Sequence, residues 1–86
     1  DEDLELAMSL VQEACLTSPY AYLDKPAPVF ARNVLEGNFV MISITARPYV
    51  FEAKYEKSFE TDVTLRIRRA FREHGIAGPT VVLARA

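Results

Sequence analysis

The chain is poor in the residues that most often carry chemistry. It has one cysteine, one histidine, three glycines and no tryptophan. A single thiol, Cys15, excludes a disulfide within the chain and fits a reducing compartment. One histidine and one cysteine, on separate predicted helices, do not make up the three or four close ligands that zinc needs. Three glycines are too few for a phosphate-cradling loop, and no G-x-S-x-G elbow surrounds any serine. Ser43 lies inside a predicted strand, and the Glu60/Asp62 pair reads as two solvated helix residues. We therefore expect neither a catalytic centre nor a cofactor or metal site. No apolar run approaches the ~20 residues of a membrane helix. The acidic start, DEDLEL, is the reverse of a basic signal peptide. A net charge of −2 lacks the basic excess usual in nucleic-acid binders.

What the chain has is apolar: 50% of its 86 residues. That composition predicts a folded domain, and the length allows only one, residues 1–86. So small a domain buries roughly 60–65% of its unfolded surface, which leaves a thin stability margin. The chain begins at Asp1 rather than Met, and is read as a piece of a longer protein.

Leu4, Met8, Val11 and Cys15 recur at helical spacing with Ala7 and Ala14 beside them, behind an acidic first turn that suits the helix dipole. They predict a helix over residues 2–16. Leu6 and Leu10 fall on its flank, so it is expected to bury more than one face. Three prolines make residues 17–28 a loop. Residues 29–35 read as a strand, Glu36-Gly37-Asn38 as a turn, and residues 39–47 as a second strand, together a hairpin. The second strand is uncharged up to Arg47 and apolar on both faces at its start, which predicts a central position. Pro48 has no N–H and ends its ladder. Phe59, Val63, Ile67, Ala70 and Phe71 form the stripe of a second helix over residues 55–74. Gly75 and Ile76 carry the signature of a Schellman cap, and His74 helps finish the helix. Residues 80–85, TVVLAR, read as a last strand.

The order α-β-β-α-β predicts an α+β two-layer sandwich, with helices on one face of a small antiparallel sheet. A strand ahead of Asp1 would complete the split pattern β-α-β-β-α-β of the ferredoxin-like fold.

Two short matches point to RNA and fail on context. Gly37-Asn38-Phe39-Val40 shares Phe-Val with one RRM motif but has the wrong glycine spacing, and Met41, Ser43 and Thr45 offer no stacking rings. Gly75-Ile76-Ala77-Gly78 matches the GXXG of KH domains, but here it caps a helix and leads into a strand. The arginines are more informative. Arg66, Arg68, Arg69 and Arg72 lie opposite the apolar stripe of the second helix, with Leu65 near their centre. Asp62–Arg66 and Arg69–Glu73 have i,i+4 spacing, as on any solvated helix face. A leucine ringed by arginines also marks Leu65, Arg66, Arg68, Arg69 and Arg72 as a candidate subunit interface.

Several landmarks together resemble the soluble C-terminal region of the small-conductance mechanosensitive channel (MscS) family. Asp24-Lys25-Pro26-Ala27-Pro28-Val29 is similar to the family's D-P-x-P-x-V. Arg47-Pro48-Tyr49-Val50 is similar to V-R-P-W-V. Tyr55 stands near the start of a charged helix that finishes Arg72-Glu73-His74-Gly75-Ile76, similar to E-x-G-I. Tyr49 replaces a frequent Trp, and Ala77-Gly78-Pro79-Thr80-Val81 replaces I-P-F-P-Q. The resemblance spans about Leu4 to Leu83. It implies the ferredoxin-like upper α/β part of a cytoplasmic vestibule, at the inner face of the cell membrane. Such a domain self-associates, usually as a heptamer, in a channel that releases ions and small osmolytes under membrane tension. The membrane segments would lie upstream. It implies no nucleic-acid partner and no cofactor. A ferredoxin-like regulatory ligand-binding domain is the alternative. A cation-efflux cytoplasmic domain would need histidines that the sequence lacks.

Overall fold

The computed structural model describes residues 2–84, and Arg85, expected in the last strand, lies outside them. Helix α1 (Glu2–Thr17) leads through the proline-rich loop to strands β1 (Val29–Glu36) and β2 (Phe39–Ala46). A short 3-10 turn (Ala53–Tyr55) opens helix α2 (Glu56–Glu73), and strand β3 (Thr80–Leu83) follows. The fold is α+β: a three-stranded sheet in the order β1-β2-β3, with both helices packed on it.

The hairpin pairs Val29 with Ala46 through to Glu36 with Phe39, which leaves the two-residue loop Gly37-Asn38. Gly37 sits at φ 61°, as the first central residue of a type II′ turn requires. The end of α2 is a Schellman cap. The Ile76 N–H donates to the Phe71 carbonyl at 2.8 Å and the Gly75 N–H to the Arg72 carbonyl at 3.3 Å, with Gly75 at φ 67°. The His74 ring nitrogen Nδ1 lies 2.9 Å from the Ala70 carbonyl, which it reaches as an N–H donor.

Paired residues share a face. Val29, Ala31, Ile44, Ala46, Val81 and Leu83 therefore form the side under the helices. Ile44 and Ala46 are fully buried there, beneath Ala7, Val11, Ala14 and Cys15 of α1 and Phe59, Val63, Ile67 and Phe71 of α2. Burial pushes the Cys15 thiol up to about 11, which marks it as a core residue. The loop after α1 is tied down from two sides. Gln12 Nε2 donates to the Ala27 carbonyl at 3.1 Å. Tyr22 N–H donates to Tyr49 O at 2.8 Å, and Phe51 N–H to Tyr20 O at 3.1 Å.

Four expectations need correction. The sheet is mixed: β3 runs parallel to β2, because the 18-residue helix between them returns the chain to the end where β2 began. The split pattern would hold a strand between these two, yet Ser43–Ala46 and Thr80–Leu83 pair directly. Their backbone groups take the nearest partner available. Helix α1 buries one stripe; of its two flank leucines, Leu10 is half-buried against the core and Leu6 stays exposed. Strand β2 is central, but its apolar start is not covered. The hairpin runs past the helix layer, and Leu35, Phe39 and Val40 are 74%, 75% and 68% exposed.

Candidate functional site

The outward face of α2 gathers the residues singled out by the sequence. Leu65 is 56% exposed on it, and Arg68, Arg69 and Arg72 are exposed around it. Arg66 behaves differently. Its Nε donates to Asp62 Oδ2 at 2.8 Å, and one terminal nitrogen lies 3.5 Å from Thr17 Oγ1 at the end of α1. Arg66 therefore fastens α2 to α1 rather than lying free on the surface. The Arg69–Glu73 pair expected at the same spacing does not form; among the described residues the salt bridges are Asp62–Arg66 and Lys54–Glu52.

Asp62 is not an ordinary solvated carboxylate. Burial pushes its carboxyl up, but hydrogen bonds from the Ser18 hydroxyl and from Arg66, with the charges of Arg66 and Arg69, outweigh that and hold it below the usual value. Ser18 is buried where α1 meets the loop, so Asp62 links α2 to that junction. A group whose folded pKa is depressed stabilises the fold above its unfolded value, near ~3.9, and loses that contribution as the pH falls through the folded value. Asp62→Asn is expected to cost about 0.5–1 kcal/mol at pH 7, the scale of a well-formed surface pair. Its melting temperature should lie roughly 2–8 °C below the parent's at pH 7, and the gap should narrow steadily as the pH falls below ~4. A gap that does not narrow with acid would remove Asp62 from this role.

The arginines border two concavities. Arg66 and Arg69 line a shallow one against α1, with Leu10, Glu13 and Thr17. Arg68 and Arg72 rim a larger groove of about 600 Å³ between α2 and β3, floored by Ile67, Phe71, Ile76, Val81 and Leu83. Among the described residues no cluster of three His, Cys, Asp or Glu could hold a metal ion, and no helix is long and apolar enough to cross a membrane.

Two features escaped the sequence reading. The rings of Tyr20 and Phe51 lie 5.5 Å and 5.2 Å from that of Tyr55, and Lys25 and Lys54 sit over Tyr49 and Tyr55. The signal was the density of aromatics in two loops, but their meeting depends on the antiparallel bridge between Ala21 and Val50. The open face of the sheet also carries two rings after all. Phe30, opposite Thr45, and Phe39 both point away from the helices and are 56% and 75% exposed. They lie about 20 Å apart along the hairpin, six residues of strand, too far to stack neighbouring bases.

No family model, curated protein or solved structure matches the chain.

Proposed function

We propose that this chain is the assembly module of a mechanosensitive channel of the MscS type, the upper α/β part of its cytoplasmic vestibule. One observation carries the self-association: twelve large apolar side chains among the described residues are exposed, six of them on the open sheet face, the hairpin end and the outside of α2, the other six on α1 and in the loops. An isolated domain of this size gains nothing from such a surface, whereas a domain packed among copies of itself covers it. The channel assignment is supported by where the resembling motifs fall. Asp24–Val29 enters β1, Arg47-Pro48-Tyr49 leaves β2, and Gly75-Ile76 caps α2. In this reading the fold is a ferredoxin-like core short of one strand; an upstream segment would replace the direct β2–β3 pairing seen in this chain and lie between the two. The arginines of α2 line a contact or a portal, where rings of charge tune ion selectivity. A regulatory ligand-binding domain is favoured only by the groove between α2 and β3, whose arginine rim suits an anion.

The test has two parts. The gene upstream of Asp1 should encode an apolar span of ~20 residues, and the full-length protein should protect channel-deficient cells from osmotic downshock. Leu65→Asp in that protein is expected to weaken assembly, read by native mass measurement in detergent. An upstream sequence without such a span, or one encoding an enzyme domain, would remove the channel reading. Unchanged assembly of Leu65→Asp would remove α2 from the interface.

A further inference from the structure

Of the four arginines on the outside of α2, two have an acid at helical spacing and two do not. Asp62 stands four residues before Arg66 and binds it at 2.8 Å. Glu73 stands four residues after Arg69. Three and four residues to either side of Arg68 are Thr64, Leu65, Phe71 and Arg72; around Arg72 they are Arg68, Arg69, Gly75 and Ile76. Arg68 and Arg72 are exposed, and neither takes part in the salt bridges among the described residues. They stand one turn apart on the same ridge, a like-charge pair that by itself works against the helix. The helix dipole offsets this for Arg72, in the last turn, but not for Arg68 a turn earlier. The pair overlooks an apolar groove, floored by Ile67 and Phe71 of α2, by Ile76 beyond the cap, and by Val81 and Leu83 of β3. Its volume of about 600 Å³ lies within the ~300–1,000 Å³ of sites that hold small ligands. No carboxylate lines it, and its other polar side chains are the hydroxyls of Thr64 and Thr80.

We propose that this groove binds a small apolar carboxylate, an acyl or aryl acid whose hydrocarbon body lies on the floor and whose carboxylate is held by Arg68 and Arg72. Charge complementarity selects the head, because the groove carries two cations and no acid. A guanidinium donates two parallel N–H bonds to one carboxylate, and an anion between the two arginines also relieves their repulsion. The floor selects the body. An inorganic anion would leave Ile67, Phe71 and Leu83 wet, and a neutral hydrocarbon would leave the arginines uncompensated. The aliphatic stems of Arg68 and Arg72 extend the apolar wall up to their charged ends. The inference deepens the ligand-binding alternative above and does not need the channel. Ile67, Arg68, Phe71, Arg72 and Ile76 belong to α2 and its cap. A strand added between β2 and β3 would therefore change the wall opposite and leave these five together.

The experiment is a titration of the isotopically labelled chain with octanoate, followed by amide and methyl NMR shifts. Acetate and 1-octanol serve as probes with only the head or only the tail. Octanoate is expected to saturate, to move the signals of Ile67, Phe71, Val81 and Leu83, and to bind at least about tenfold more tightly than either probe, the scale of one charge-assisted contact or one buried tail. An Arg68→Gln/Arg72→Gln double variant should bind octanoate about tenfold more weakly and 1-octanol as the parent does. Both positions are exposed, so this variant should melt with the parent. Arg69→Gln, in the shallow concavity against α1, should bind as the parent does. No saturation below the micellar concentration of octanoate would overturn the proposal. So would 1-octanol binding as tightly as octanoate, shifts confined to Phe30, Phe39 and Val40, or an Arg69→Gln loss equal to that of the double variant. The same titration on the full-length protein separates the two readings. Octanoate binding without osmotic protection keeps the groove and removes the channel. Osmotic protection without octanoate binding keeps the channel and removes the groove.

Discussion

Ile44→Asp is expected to abolish folding of the domain. Ile44 is fully buried in the middle of the central strand, between Ala31 on β1 and Val81 on β3, and both helices close over it. An aspartate there has no polar partner within the core. Either an ionised carboxylate is buried unpaired, or its proton is retained and a polar acid replaces four packed carbons. Both routes cost several kcal/mol. An 86-residue domain has roughly 4–13 kcal/mol in all. Loss of the isoleucine packing adds about 2–5 kcal/mol more, the scale of a large-to-small core change. The variant should show no cooperative thermal transition in circular dichroism. Ile44→Val, which removes one methyl group, should cost about 0.5–1.5 kcal/mol and keep the transition. A cooperative melt for Ile44→Asp within a few degrees of the parent would mean that β2 is not the floor of the core.

Alternation along β2 puts Ile42 on the same face as Ile44 and, taken alone, predicts the same collapse from Ile42→Asp. Alternation along β2 correctly separates Val40, Ile42, Ile44 and Ala46 from Phe39, Met41, Ser43 and Thr45. Alternation does not say how far the helices reach along that face. They cover Ile44 and Ala46, half cover Ile42 and leave Val40 in water. An aspartate at Ile42 can reach solvent, so its cost should be clearly below that at Ile44. The same limit explains the other differences. Helix periodicity, the turn at Gly37 and the cap at Gly75 are local signals, and the elements they mark are present within a residue or two. The direction of β3 and its pairing with β2 depend on what occupies the neighbouring position in the sheet, which no local pattern encodes. Asp62 illustrates the point at the level of one side chain. Its i,i+4 relation to Arg66 was legible, but Ser18, forty-four positions earlier, becomes its partner only once the helices are packed. The candidate interface on α2 was legible for the same reason as the helix itself: periodicity places Leu65 and the arginines opposite the buried stripe. That Arg66 is committed to the fold was not.

Phe71→Ala is expected to be a strongly destabilising truncation on α2, at about 3 kcal/mol. Three observations set that size. Phe71 is only 9% exposed, so almost the whole ring leaves the core. It sits in the last turn of α2, and its carbonyl accepts the Ile76 N–H of the Schellman cap. It also floors the groove between α2 and β3 together with Ile76 and Val81, so the strand that follows the cap loses packing too. The backbone hydrogen bond survives the substitution; what is lost is the apolar contact between the third residue from the helix end and the residue beyond Gly75. In a domain of this length 3 kcal/mol corresponds to roughly 12–24 °C in melting temperature. Amide exchange should rise first at Glu73, His74 and Ile76, before the rest of the helix, because the cap opens locally at lower cost than the domain unfolds. Leu65→Ala on the opposite side of the same helix should change the stability of the single chain by less than about 0.5 kcal/mol. A Phe71→Ala chain that melts with the Leu65→Ala chain would mean that α2 does not hold β3 against the sheet through this turn. The parallel β2–β3 pairing would then need another source of stability, such as a strand contributed from outside the described residues.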